Sequence, residues 1–314
     1  MKRTYFIIQV LISISCLVIV GIIVKPAEII KTWGQAEPIA LFIVFALMPF
    51  AVLSRAWRWW YILRQKHIMI PLMTMWRVTF IGMALNLILP GSMGDVARSY
   101  YGWRSAGNKE AMLASALVDK VIALFTLCLL GAFCAGLIGS IPLVLLSTLL
   151  ALPLALLLLL PKFMPWWLVV FLCRKLLKRN LNIERLQTTF KLEHRTLLVC
   201  IAISLIGWLL TNAMYYFACL AFTQDVSFGY VYAVAPLINL IRIVPISISG
   251  LGPADLLILF LFGLTGMNES TSLMASMTIN VALIALPGLI GAVLMTIQHR
   301  RIEKTNFHAI QGTL

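Results

Sequence analysis

The sequence predicts an all-α polytopic membrane protein with about eight transmembrane segments and a re-entrant helical hairpin. Three observations carry that prediction. Of 314 residues, 61% are hydrophobic and 11% charged, with a mean hydropathy of +0.98, whereas a soluble globule carries about 25% charged residues. Apolar runs of the length needed to cross a hydrocarbon core of about 30 Å follow one another along nearly the whole chain. The basic residues are also unevenly placed: of 25 Lys and Arg, 20 fall inside, two outside (Lys25, Lys31) and three within membrane segments (Arg77, Lys120, Arg242). That asymmetry puts both termini in the cytoplasm. A net charge of +14 would point to nucleic acid in a soluble chain; here the asymmetry accounts for it, and no nucleic-acid partner is expected.

Taken in order, span one covers about 5–24 behind Lys2 and Arg3, and it lacks a small-residue cleavage site, so it reads as a retained span. A short outer loop with Lys25, Glu28, Lys31 and Glu37 leads to span two, about 38–54. That span returns to Arg55, Arg58, Arg64 and Lys66, interleaved with Trp57, Trp59, Trp60 and Tyr61 as an interfacial aromatic belt. Residues 71–90 are long enough to cross, yet Arg98, Arg104 and Lys109 beyond them also read as cytoplasmic. A hairpin that enters and leaves by one side fits, with its tip between Pro90 and Asp95. Span three, about 113–138, carries Asp119 and Lys120 in its first turns; Gly139 and Ser140 then turn the chain into span four, about 141–160. The largest polar segment, 161–196, holds eight Lys or Arg and is the clearest inside loop; its part 164–173, with Trp166 and Trp167, reads as an interfacial amphipathic helix. Span five, about 197–222, leads out to Gln224 and Asp225. A pair at about 228–247 and 254–267 is entered from outside, and a last span at about 271–297 delivers His299, Arg300, Arg301 and Lys304 to the cytoplasm. The chain is thus one transmembrane domain over 1–304, with halves of about 1–138 and 141–304 and a short tail at 305–314. Its longest loop, about 36 residues, is below the roughly 40 that a soluble domain needs to fold without staples.

Two stretches break this apolar pattern. Asn86 to Arg98 contains Pro90, Gly91, Gly94, Asp95 and Arg98; Asn239 to Asp255 contains Arg242, Pro245, Gly250, Gly252, Pro253 and Asp255. Asn, Pro, Gly and Asp recur in the same order, which points to an inverted internal repeat, and paired Gly/Pro-interrupted segments mark the central site of many transporters. Non-helical backbone at membrane depth needs protein or a wet cavity around it. Gly252 as N-cap, Pro253 at the first helical position and Asp255 at the third form a good helix start. Such an end suits a phosphate or carboxylate, or else the acids satisfy its amides themselves. Asp95 and Arg98, three apart, share a helix face, and Asp119 is an interhelical partner for Arg98. Adjacent Asp119 and Lys120 point about 100° apart, so Lys120 needs another partner. Arg242 is the most informative base, because a charge at a helix centre costs about 2.5–3.5 kcal/mol on insertion scales. Its structural partner would be Asp255 or a carbonyl-lined pocket; its functional one, a lipid phosphate. Arg77 is expected to snorkel.

Other chemistries find little support. The six cysteines lie in apolar surroundings without a C-x-x-C pair, and the four histidines all sit in basic flanks, so no metal site and no cofactor is expected. No phosphate-binding G-x-x-x-x-G-K-[ST] motif occurs.

Asn86-x3-Pro90-x3-Gly94-Asp95-x2-Arg98, then Asp119, then Pro245 with Gly250-Leu251-Gly252 and an acid at 255, resembles the lysylphosphatidylglycerol synthase transmembrane-region family, a flippase-like module also found beside hopanoid and glycosyltransferase genes. Two positions depart from the family pattern: Asp255 stands where Glu is usual, and Asp119-Lys120 where Glu-Arg or Asp-Arg is common. The resemblance implies a lipid translocase fold, read here without the soluble aminoacyl-transferase domain, so synthesis of lysyl-lipid is not expected. It also implies a membrane lipid as substrate, anionic or head-group-modified, phospholipid or polyprenyl-linked. On that reading Arg98 and Arg242 hold the phosphate, with Asn86, Asp119 and Asn239 beside them; Asp95 and Asp255 act as protonation or pairing switches. Pro90, Gly91, Gly94, Pro245, Gly250, Gly252 and Pro253 supply the hinges. Two rivals stand beside it: a membrane-embedded transferase with Asp95 or Asp255 as base, and an accessory scaffold for a separate lipid or glycan synthase. The expected location is a bacterial plasma (inner) membrane, as a monomer or an oligomer.

Overall fold

The computed structural model describes residues 26–89, 94–106, 108–163, 183–223, 226–243, 247 and 250–297, with positions 11, 15, 16, 18 and 19. Among these residues there are eleven α-helices and no strand. They are α1 (Pro26–Gly34), α2 (Pro38–Gln65), α3 (Leu72–Asn86), α4 (Gly94–Ala106), α5 (Lys109–Leu137), α6 (Ile141–Leu159), α7 (Ile183–Phe190), α8 (His194–Leu220), α9 (Phe228–Ile243), α10 (Pro253–Gly263) and α11 (Glu269–Asn280). A π turn, Val281–Ala285, carries α11 onward, so that helix runs unbroken from Glu269 to Ile297. Five helices are long and apolar enough to cross a membrane: α2, α5, α6, α8 and the α11 rod; α9 and α10 are apolar but shorter. The first span, the helix at 164–173 and the tail at 305–314 fall largely or wholly outside the described residues, as do Pro90, Gly91 and Pro245.

The pattern of exposure is that of a membrane protein. On α6 only Ser147 and Ala151 are buried, while Leu145, Leu149, Leu152 and Leu156 stand out from the bundle. In water such a continuous apolar face would be an association site; against lipid it is the ordinary outer surface. With no hydrophobic force between helices in lipid, close packing has to hold them together, and small residues allow it. A Cβ at Gly207 of α8 would run into Ser54 Oγ of α2, and one at Gly291 would run into the Phe80 carbonyl of α3. The largest apolar cluster joins α2, α3, α8, α9, α10 and α11 through residues such as Val44, Phe80, Met214, Ile238, Phe262 and Ile279.

Three expectations change. Span two does not end near residue 54: α2 continues to Gln65, which makes Arg55 and Arg58 helical residues of the bundle. Arg58 is 5% exposed and Trp59 fully buried, because each finds a buried partner inside. Only Trp57 of the expected belt is exposed. The segment after Lys25, expected as a short outer loop, is helical over α1. The segment expected as an inside loop contains α7, whose Leu186 and Phe190 bury against α5, while Lys66 Nζ donates to the Thr188 and Lys191 carbonyls near its C-terminal end.

Candidate functional site: a charged cavity within the bundle

Among the described residues the helices line a polar cavity of about 140 Å³, contributed by α2, α3, α4, α5, α8, α9 and the π turn. Asp119 lies ten residues beyond the start of α5 and Ser204 ten beyond the start of α8, about 15 Å along each axis at 1.5 Å per residue, so the cavity lies within the length of both candidate spans.

Asp119 is the hub of one wall. Its Oδ1 accepts from Arg58 Nε at 2.6 Å and its Oδ2 from Arg98 Nη2 at 2.7 Å. All three side chains are almost fully buried. Arg58 Nη1 donates further to Ser204 Oγ at 2.8 Å. Arg98 Nη1 donates to Thr79 Oγ1 at 3.2 Å, its Nε to the Asp95 carbonyl at 2.9 Å, and its guanidinium lies 4.4 Å from the Trp59 ring centroid. Trp59 in turn donates from Nε1 to Ser115 Oγ at 2.9 Å. A Cβ at Gly82 would press on Arg98 Cδ, so the glycine leaves the room in which this guanidinium lies.

Asp95 pairs elsewhere than its neighbour Arg98. Its Oδ2 accepts from Lys120 Nζ at 2.5 Å and its Oδ1 from Asn86 Nδ2 at 3.2 Å. Lys120 thereby gains the partner its position required. Gly94 opens α4 against α3, where a Cβ would meet the Gly82 carbonyl and the Asn86 amide, so the glycine lets the two helices approach closely.

On the opposite wall, Arg242 Nε donates to the Tyr215 hydroxyl at 3.1 Å. Tyr215 and Asn239 are linked at 3.4 Å, and Asn239 Nδ2 donates to the Ala235 carbonyl. Among the described residues, both terminal nitrogens of Arg242, Nη1 and Nη2, are buried without a partner, and Asp255 forms no ion pair with them. Arg55 lies over the Trp208 ring, 5.8 Å from its centroid, and forms no ion pair among the described residues.

Six of the sequence-nominated residues therefore line one cavity: Asn86, Asp95, Arg98, Asp119, Asn239 and Arg242. Asp255 does not; it lies at the start of α10, accepting from the Gly252 amide at 2.8 Å. Gly250 and Gly252 have φ of +81° and +89°, and Pro253 is the first residue of α10, as its helix-start pattern indicates. Arg55, Arg58 and Tyr215 escaped sequence reasoning. For the two arginines the signal existed, because they sit three apart on an extension of span two; for Tyr215 there was none. The lining brings Arg55, Arg58, Arg98, Lys120 and Arg242 against Asp95 and Asp119, an excess of three positive charges.

Fold and cavity together define a multi-pass helical membrane protein with a cation-rich interior. The chain belongs to the family described as lysylphosphatidylglycerol synthase TM region, whose model matches residues 6–291. It is similar to a protein named "UPF0104 membrane protein" from Methanothermobacter thermautotrophicus (strain Delta H), 23% identical over 298 residues, covering 86% of this chain and 88% of that protein.

Proposed function

We propose that this protein is a lipid translocase that moves an anionic or head-group-modified lipid between the leaflets of a bacterial plasma membrane. The observation that carries the reading is Arg242: a guanidinium inside the helical bundle, with two buried terminal nitrogens and no partner for either among the described residues. A buried polar group without a partner is destabilising by about 1–3 kcal/mol, more when charged, and a planar donor fork matches a phosphate. Asp119 neutralises part of the charge of Arg58 and Arg98, and Lys120 is matched by Asp95, which leaves Arg242 and Arg55 as the cations open to a phosphate. Arg98 on this account shapes the wall instead of holding the ligand. The interrupted pairs α3–α4 and α9–α10 correspond to two re-entrant or broken elements of opposite entry, within about eight spans in all, and the Gly/Pro positions between them are the hinges.

The test is the lipid that copurifies with the protein. Wild type is expected to retain an anionic lipid above its share of the membrane, and Arg242→Gln to lose it while remaining folded. The retained lipid should be recovered with unchanged mass after incubation, since translocation alters the leaflet and not the molecule. Equal bulk lipid on both proteins would overturn the reading.

A further inference from the structure

The charges lining the cavity bear on which anion it takes. Asp119 is shared between Arg58 and Arg98, so one carboxylate answers two guanidinium groups. Asp95 answers Lys120. Arg55 and Arg242 line the same cavity, and neither forms an ion pair among the described residues. The lining therefore carries five cations against two acids, an excess of three among the described residues. Like charges gathered in a low-dielectric interior repel one another, and an uncompensated buried charge is costly. An anion with more than a single charge relieves that excess best.

Phosphate chemistry separates the candidates. A phosphodiester head group, as in phosphatidylglycerol, offers a single negative charge and two non-bridging oxygens. A phosphomonoester carries about −1.5 to −2 at pH 7 and offers three terminal oxygens. The monoester thus neutralises more of the excess than the diester does.

The donor arrangement favours the same species. The Tyr215 hydroxyl receives Arg242 Nε at 3.1 Å, which leaves Nη1 and Nη2 as an unused planar pair. Such a pair takes two oxygens of one phosphate. On a phosphodiester that occupies every non-bridging oxygen; on a phosphomonoester a third remains for another cation. Arg55, held over the Trp208 ring at 5.8 Å from its centroid, is the second lining cation without a carboxylate. The cavity is also small. Its 140 Å³ is less than half of the roughly 300 Å³ at the lower end of pockets for drug-sized ligands. That space suits a bare phosphate better than a head group with a sugar or an amino acid beyond it.

We infer that the ligand preferred by this cavity is a lipid ending in an unsubstituted phosphate, with the Arg242 fork on two of its oxygens and Arg55 on the third. Phosphatidic acid and polyprenyl monophosphates share that chemistry, and phosphodiester lipids bind the same site more weakly. The inference rests on the reading of Arg242 as the anion site and narrows the lipid that this site selects.

The test uses the full-length protein in neutral-detergent micelles at pH 8, above the second phosphate ionisation at about pH 6. The micelles contain equal amounts of phosphatidic acid and phosphatidylglycerol with matched acyl chains, and lipid retained after gel filtration is quantified by mass spectrometry. Wild type is expected to retain phosphatidic acid about tenfold over phosphatidylglycerol, the effect of one added charge-assisted hydrogen bond. Arg55→Gln, checked for intact folding by its thermal midpoint, is expected to lose that preference, and Arg55→Lys, which keeps the charge, to hold most of it. Farnesyl phosphate is expected to displace phosphatidic acid, because the phosphate is the recognised group; inorganic phosphate at the same concentration is expected not to, because the ligand is a lipid. Equal retention of the two lipids by wild type, an unchanged ratio in Arg55→Gln, a ratio lost equally in Arg55→Lys, failure of farnesyl phosphate to compete, or equal displacement by inorganic phosphate would each overturn the inference. Arg242→Gln separates the two claims: retention of both lipids at the wild-type level would refute the anion site itself, whereas loss of both beside equal retention of the two by wild type would refute only the preference for a terminal phosphate.

Discussion

At the scale of residues, the cavity contains two kinds of arginine that a substitution should tell apart. Arg98 is fully partnered, by Asp119, Thr79, the Asp95 carbonyl and the Trp59 ring; among the described residues Arg242 has one hydrogen bond and two idle nitrogens. Arg98→Gln is therefore expected to lower the thermal midpoint in detergent. Arg242→Gln should leave that midpoint unchanged or raise it while abolishing lipid retention, the trade expected where a destabilised group is kept for function. Asp119→Asn should be the most damaging of the three, because it leaves Arg58 and Arg98 buried and uncompensated, a loss of about 3–5 kcal/mol for a broken buried pair. Unfolding followed by tryptophan fluorescence in detergent checks the order. The sequence made Asp119–Arg98 legible, since both are intramembrane charges in adjacent segments. It did not make Lys120–Asp95 legible in preference to Asp95–Arg98, because spacing along one helix says only that two side chains share a face, while the pairing depends on how α4 lies against α5.

At the scale of elements, the long apolar runs marked α5, α6, α8 and the α11 rod to within a few residues, since length and hydropathy suffice when lipid is the solvent. The end of α2 was missed for a physical reason. Three arginines and three tryptophans within ten residues match an interfacial belt by composition, and only the Asp119 carboxylate on α5 and the Ser204 hydroxyl on α8 convert one of those charges, Arg58, into an interior residue. The break between α9 and α10 was legible from Gly252, Pro253 and Asp255, whereas nothing in Val281–Ala285 announced the π turn that puts Leu283 and Ile284 into the cavity wall. Such turns recur at functional sites. The same rod is pinned to α3 at Gly291, where an added Cβ would meet the Phe80 carbonyl. Gly291→Ala is expected to separate the two elements, lower the thermal midpoint and raise hydrogen exchange in both; unchanged protection in α3 and the rod would show that the close approach is unimportant. Gly263, where a Cβ meets nothing within 4 Å, provides the control, with Gly263→Ala expected to leave stability within about 1 kcal/mol of wild type or above it, as Ala favours a helix.

At the scale of the whole molecule, an apolar exterior surrounds a small interior in which cations outnumber acids by five to two. Membership of the lysylphosphatidylglycerol synthase TM region family, over residues 6–291, fits that architecture, and the proposed lipid movement is what a guanidinium inside the bundle, unmatched among the described residues, can serve. The most direct measurement is leaflet exchange in proteoliposomes made with a trace of fluorescent phosphatidylglycerol, the outer-leaflet label being bleached by dithionite at successive times. Wild type should render the inner-leaflet label accessible faster than empty vesicles do, and Arg242→Gln, reconstituted to the same density and equally folded, should not. Exchange by Arg242→Gln at the wild-type rate, or none by wild type above empty vesicles, would contradict the central claim.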